Sequence, residues 1–222
     1  MSSELGFALH ERVFSEQECF DIGTTLDTSL YNRSRAGARH LLGDPNFHQL
    51  ASDPRLIKIA ADVLGGTAIP FRATFFEKSG GSNWGVIWHQ DTTLPLASRF
   101  QSREWGPWSV KEGIYYSHAP AWALQHVVAL RLHIDPSRSN NGPLKVIPGS
   151  HELGVLEDEE VLSRAKQTTP VECLAGRGDV IVMRPLLIHS SSKSISAQPR
   201  RVIHIEYADT LDLSPAIRLA IA

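Results

Sequence analysis

The first third of the chain and the remainder are patterned differently. Near the start, apolar residues recur at helical spacing. From about residue 67 onward they form short apolar or alternating runs separated by turn residues. Ser15 and Glu18 have capping-box spacing, and Phe14 and Cys19 stand where a hydrophobic staple packs. A helix is therefore expected from there to about Tyr31. Residues 32–40, basic and glycine-interrupted, read as a loop. Asp53 as N-cap and Pro54 at the first helical position open a second helix. Leu56, Ile57, Ile59, Ala60 and Val63 give its apolar stripe, and Gly65-Gly66 ends it as a left-handed C-cap does.

Residues 67–78 carry the β-formers Ile69, Phe71, Thr74, Phe75 and Phe76. A turn is expected over 79–83 and a strand over 84–91. Further strands are expected over 126–135, 144–147, 171–174, 180–183, 186–189 and 201–207. A helix over 157–166 runs from acidic to basic, which suits its dipole. Residues 92–124 are long and irregular, with Arg99, Phe100, Arg103, Trp105, Trp108, Tyr115 and Tyr116. Connections of that length are lids, binding loops or disordered segments, and the aromatic content favours an ordered lid-like insertion.

Helices first and strands later predict an α+β, mainly β protein with an antiparallel core. The expectation is one domain over 1–222, its helical part being 1–66 and its insertion 92–124. A βαβ nucleotide fold is not indicated, and neither a glycine-rich phosphate loop nor a Gly-x-Ser-x-Gly elbow is present. Strand parity adds a constraint. Arg200, Val202, His204 and Glu206 share one face, while Arg201, Ile203, Ile205 and Tyr207 share the other. Arg131, His133 and Asp135 likewise oppose Leu130, Leu132 and Ile134. A roll whose polar faces line a cavity and whose aliphatic faces pack under the N-terminal helices satisfies both strands.

Composition narrows the function classes. Of 222 residues 42% are hydrophobic and 21% charged, enough to bury a real core, and the net charge of -2 gives no case for nucleic acid or an anionic membrane. No apolar run approaches the roughly 20 residues that span a bilayer. Cys19 and Cys173 alone make neither a disulfide framework nor a zinc ribbon. Met1-Ser2-Ser3-Glu4 lacks a secretory pattern, so the expected location is cytoplasmic. No obligate protein partner is indicated, and a small-molecule substrate is expected.

The chemistry centres on Trp88-His89-Gln90-Asp91. On a strand, His89 and Asp91 project from one face, giving two-thirds of a 2-His-1-carboxylate iron site. By itself this pair also fits a histidine merely oriented by an acid. The best third ligand is His189, at the end of Leu186-Leu187-Ile188 and before a serine-rich turn. Arg200, opening the next strand, would need an anionic partner if buried, and its fork matches a carboxylate.

These residues, with Asn141-Gly142-Pro143-Leu144, Ile147-Pro148-Gly149-Ser150-His151 and Gly178-Asp179-Val180, resemble the phytanoyl-CoA dioxygenase family of Fe(II)/2-oxoglutarate oxygenases over residues 71–208. The resemblance implies a double-stranded β-helix, the jelly roll shared with cupins, with the N-terminal helices on the outer face of its major sheet. It implies His89, Asp91 and His189 as iron ligands and Arg200 as the partner of the distal carboxylate of 2-oxoglutarate. Lys78 falls near a position that contacts the co-substrate in some relatives, and Arg131 is a cavity candidate by parity. The implied reaction consumes O2 and 2-oxoglutarate, releases succinate and CO2, and hydroxylates a small organic substrate. The presence of Asp91 argues for hydroxylation over halogenation. No CoA thioester is implied.

Trp105, Trp108, Tyr115 and Tyr116 either line or close the substrate pocket or form the insertion's own core. His10, His40, His48, His118, His126 and His151 are read as structural. Two other function classes remain open at this stage: a zinc-type metal hydrolase using the same three ligands, and a non-catalytic binding or sensing module on the same scaffold.

Overall fold

The computed structural model describes residues 4–29, 37–79 and 83–222. In chain order its elements are β1 (Phe7–His10), α1 (Glu16–Thr28), β2 (Gly37–Ala38), α2 (Pro45–Ala51), α3 (Pro54–Leu64), β3 (Ile69–Lys78), β4 (Val86–His89), β5 (Thr93–Leu96), β6 (Trp108–Lys111), β7 (Ile114–His118), α4 (Ala121–Gln125), β8 (Val127–His133), β9 (Leu144–Val146), α5 (Asp158–Gln167), β10 (Val171–Cys173), β11 (Val180–Met183), β12 (His189–Ser191), β13 (Arg200–Ala208), β14 (Asp212–Ser214) and β15 (Ile217–Arg218). The major sheet has the order β1-β11-β8-β13-β3-β2 and the minor sheet β10-β9-β12-β4. Their pairings are antiparallel, and the two sheets form the expected jelly roll.

The caps expected from sequence form. The Ser15 side chain accepts from Glu18 N–H while Glu18 accepts from Ser15 N–H, closing the capping box of α1. Asp53 caps α3, and Gly65 ends it with φ +86°. The first helix stops at Thr28; Tyr31, the expected end, lies outside the described residues. Most of the expected loop 32–40 and of the turn 79–83 also lies outside them, while Gly37–Ala38 pairs with β3.

The aliphatic strand faces do what parity predicts. Ala73, Phe75, Leu130, Leu132, Val180, Val182, Ile203, Ile205 and Tyr207 pack beneath Leu26, Phe47, Leu56 and Ile59 of the helices. The Tyr207 hydroxyl donates to Ala51 O at 2.9 Å, which ties β13 to α2. Between the sheets the filling is uneven. Ala129, Ile181 and Met183 meet Leu144, Val146 and Cys173 in an apolar block. Beyond that block, toward β3 and β4, the inward residues become polar and a cavity opens.

Four expectations need correction. The motif strand ends at His89, so Asp91 follows it rather than lying on it. The apolar run Leu186-Leu187-Ile188 is a buried turn, and the strand starts at His189. Asp135 lies past the end of β8, where parity no longer applies, and it pairs outward with Arg201 and Arg177. Residues 92–124 are not irregular: they form the sheet β5-β7-β6 and helix α4. β1, α2 and the hairpin β14–β15 were not expected. No helix among the described residues is long and apolar enough to cross a membrane.

Candidate metal centre

His89 closes β4 and pairs in register with His189, the first residue of β12. This antiparallel pairing brings the two imidazoles together, with ring centroids 4.2 Å apart. Asp91 follows the strand and is held by its own N–H, which donates to Pro185 O at 2.9 Å. Its carboxylate lies 3.6 Å from His89 Nε2 and 3.5 Å from His189 Nε2. The intervening Gln90 points the other way. It bonds Gly154 O, Leu186 O and Leu156 N–H, and so pins the chain on both sides of the motif.

The donor set is arranged for a metal. Nδ1 of His89 lies 2.8 Å from Ile87 O, and Nδ1 of His189 lies 2.8 Å from Leu187 O. Each ring can donate from Nδ1 only in the tautomer that leaves Nε2 with a lone pair, and both Nε2 atoms face Asp91. Donor atoms of all three residues fall within 4.8 Å of one another, and no other such group occurs among the described residues. Burial pushes the deep His189 down to about 4. For His89, burial pulls down, but the hydrogen bond to Asp91 and its charge outweigh this and the net direction is up. Burial alone would raise Asp91, yet His189, His89 and His204 together hold it well below the usual carboxylate range. Two neutralisable imidazoles and an ionised carboxylate suit Fe(II) and equally suit Zn(II).

The cavity beside this triad has a volume of about 170 Å³. Its other wall is the inner face of the major sheet, laid out in rows by strand register. Lys78 pairs with Arg200, Thr74 with His204 and then Arg131, and Arg72 with Glu206. Arg200 is buried, and its Nε has no hydrogen-bond partner. The same is true of Arg131 Nε and of His133 Nε2 nearby. Arg131 spends one terminal nitrogen on His204 Nδ1, at 3.1 Å. Burial and the charge of Arg131 pull Arg200 down to about 9. Burial, then Arg200 and Arg131, pull Lys78 down to about 7. Lys78 Nζ bonds Ser191 Oγ at 2.6 Å and also the Ser192 carbonyl. Cations crowded and desolvated in this way describe an anion site.

The structure thus brings together His89, Asp91, His189, Arg200, Lys78 and Arg131. It separates them from the four aromatics, none of which lines this cavity. Trp105 and Trp108 pack edge to face on Phe100, and Trp105 also meets Trp122, so these two belong to the core of the insertion. Tyr115 is partly exposed. Tyr116 is buried and reaches only the back of the wall: its hydroxyl bonds His40 Nε2 at 2.8 Å, and Arg72 lies over its ring at 5.9 Å. Sequence reasoning missed Arg72, Thr74, Ser191 and the pairing role of Glu206. The signal for the first two was available, since Arg72, Thr74, Phe76 and Lys78 share one face of β3.

Fold and triad together define a double-stranded β-helix protein with one candidate metal site among the described residues. The chain belongs to the phytanoyl-CoA dioxygenase (PhyH) family, whose model matches residues 27–202. It is 26% identical over 182 residues to an L-proline trans-4-hydroxylase of Streptomyces griseoviridis, a match covering 69% of this chain and 59% of the relative. The ectoine dioxygenase EctD of S. alaskensis, solved with 2-oxoglutarate and 5-hydroxyectoine, superposes with a TM-score of 0.68 at 20% identity, over 92% of this chain and 72% of that one. The α-ketoglutarate-dependent epimerase SnoN from nogalamycin biosynthesis gives 0.69 at 17%, over 94% and 79%. One fold therefore carries both hydroxylation and epimerisation, and the reaction must be argued from the site.

Proposed function

We propose that the protein is an Fe(II)- and 2-oxoglutarate-dependent dioxygenase that hydroxylates a small organic substrate and releases succinate and CO2. The observation that carries this reading is the cationic end of the cavity. Buried Arg200, with an unbonded Nε, stands beside Arg131 and Lys78 in the same space as the two histidines and the carboxylate. A zinc site is complete with three protein ligands and a water, so the buried cations beside the triad call for an anionic co-substrate in the same cavity. The sequence relatives, a proline hydroxylase and an ectoine dioxygenase by name, support the same reading.

His89, Asp91 and His189 would hold the metal from one side and leave positions for co-substrate and O2. When bound, Fe(II) with 2-oxoglutarate and O2 supplies the oxidising power to break a substrate C–H bond. The chain's own residues bind and orient. Arg200 presents a two-pronged donor to the distal carboxylate. Arg131 and Lys78 lower the cost of bringing a dianion out of water. The Nδ1 bonds to Ile87 O and Leu187 O keep both imidazoles turned toward the metal. The apolar block between the sheets closes the cavity's far side against solvent.

Anaerobic titration tests the reading. Adding 2-oxoglutarate to the Fe(II)-loaded protein should produce a visible metal-to-ligand charge-transfer band, and aerobic turnover should yield succinate with a hydroxylated product. Arg200→Ala should raise the 2-oxoglutarate requirement about 10- to 100-fold, the worth of a charged hydrogen bond. Arg201→Ala should not, because Arg201 is engaged by Asp135 and Asp27 outside the cavity. Asp91→Gly should lose both iron and hydroxylation. An iron spectrum unmoved by 2-oxoglutarate rejects the reading in favour of the hydrolase. A band without succinate formation favours the binding module.

A further inference from the structure

Arg72 and Arg200 stand at opposite ends of the cavity. Arg72 and Lys78 both point inward from β3, and the six residue steps between them span about 20 Å of strand. At one end Lys78 pairs with Arg200 and reaches across to Ser191 on the minor sheet. At the other, Arg72 pairs with Glu206. The metal ligands lie between. Asp91 is near enough to act electrostatically on Arg72, Arg131 and His204. If co-substrate occupies the Arg200 end, the space left for a substrate is bounded by Arg72.

Arg72 is built in from three directions. Its Nε donates to Glu206 and its Nη1 to Thr93 O at 2.9 Å. Tyr116, fixed by His40, backs the guanidinium. The bonds to Glu206 and Thr93 engage Nε and Nη1, and Tyr116 adds a third polar contact. Arg72 still contributes to the cavity wall, with five N–H groups to share among these partners and a ligand. The cavity as a whole carries net positive charge. A divalent metal and dianionic 2-oxoglutarate cancel, and Glu206 balances Arg72. Lys78, Arg131 and Arg200 then face the single acid Asp91 among the described residues of the cavity wall. The loaded site stays positive, which favours an anionic molecule over a neutral or cationic one.

We propose that Arg72 is a substrate-recognition residue and that the substrate is a small molecule carrying a carboxylate. The Arg72 fork takes that carboxylate and leaves the C–H to be oxidised over His89, Asp91 and His189. The proposal rests on the oxygenase reading above and adds the substrate's charge and the residue that reads it.

The test uses the Fe(II)–2-oxoglutarate protein under anaerobic conditions and matched acid and amide pairs: L-proline and L-prolinamide, L-leucine and L-leucinamide, hexanoate and hexanamide, cinnamate and cinnamide. Binding is read as perturbation of the charge-transfer band. At least one acid should bind, and its amide should bind tenfold or more weakly. In Arg72→Gln/Glu206→Gln, which replaces the ion pair without stranding a buried charge, that preference should vanish; the variant's own band reports an intact metal site. The acid-against-amide comparison on the unaltered protein stands whether or not the variant folds. Amides that bind as well as acids overturn the proposal. So does a variant that keeps the preference, or a panel in which the band forms and no acid binds; each of these outcomes leaves the oxygenase reading in place. Absence of the band overturns both.

Discussion

Arg200 and Arg201 are adjacent in sequence and meet opposite environments. Arg200 turns into the cavity with an unbonded Nε, while Arg201 turns outward onto Asp135 and Asp27. Period-2 geometry separates them, and that much was readable from the aliphatic alternation of β13. Lys78 was placed only by resemblance, and its setting yields a pH prediction. Burial and two neighbouring arginines pull it from 10.5 down to about 7, so the folded protein disfavours the ammonium. The unfolded chain keeps that proton up to about 10.5. Between those values it binds more protons than the folded state, and Lys78 therefore makes stability rise with pH across that window. A bound dianion reverses the preference and restores the proton. Calorimetry of 2-oxoglutarate binding at pH 8, in buffers of different ionisation heat, should show uptake approaching one proton, absent in Lys78→Met. Equal uptake in both proteins would remove Lys78 from the co-substrate site. Arg72, by contrast, escaped sequence reading although it shares Lys78's face. Strand parity put Arg72 on the face of Lys78, but which face of β3 turns inward is set only when β13 supplies Glu206 opposite.

At the scale of elements, legibility followed the locality of the signal. The two longer N-terminal helices were marked by their caps, and those caps form. The insertion 92–124 was opaque because its strands are four or five residues long, one contains Pro95, and their stability comes from pairing with each other. Leu186-Leu187-Ile188 misled for another reason: burial alone does not distinguish a strand from a turn crossing the core. The turn at Gly178 shows how a local signal can fix a distant contact. Gly178 N–H donates to His133 O at 2.8 Å, and its carbonyl accepts from Phe14 N–H at 3.0 Å, so one residue joins the entry of α1 to the end of β8. Its φ is +81°, and a Cβ there would lie 2.0 Å from Phe14 O. Gly178→Ala should therefore cost at least about 2 kcal/mol, from left-handed strain plus a displaced backbone contact. Urea unfolding should show a lower midpoint at unchanged slope. A midpoint within error of the parent would mean that the α1 entry is not anchored here.

For the whole molecule, the uneven filling between the sheets decides where function can sit. Apolar residues close one half. The polar half keeps a desolvated cationic cluster and a three-ligand group that only a bound anion and a cation would satisfy together. Sequence could specify the residues of that half because each strand alternates. It could not show that they leave buried donors unsatisfied, since this depends on two sheets meeting face to face. Metal and co-substrate should consequently stabilise the protein cooperatively. Without the metal the 2-oxo acid end of 2-oxoglutarate lacks its partner, although the distal carboxylate meets Arg200, and the metal alone leaves Arg200 and Arg131 uncompensated. At about 100 times its dissociation constant, a ligand that binds only the folded state adds about 2.7 kcal/mol. For a domain of this size, that corresponds to roughly 5–11 °C in melting temperature. An anaerobic melt with Fe(II) and 2-oxoglutarate together should exceed the sum of the two separate shifts, and Arg200→Ala should abolish the excess while keeping the metal's own contribution. Strictly additive shifts would show that the cationic end and the triad bind independently, and that the cavity does not act as a single site.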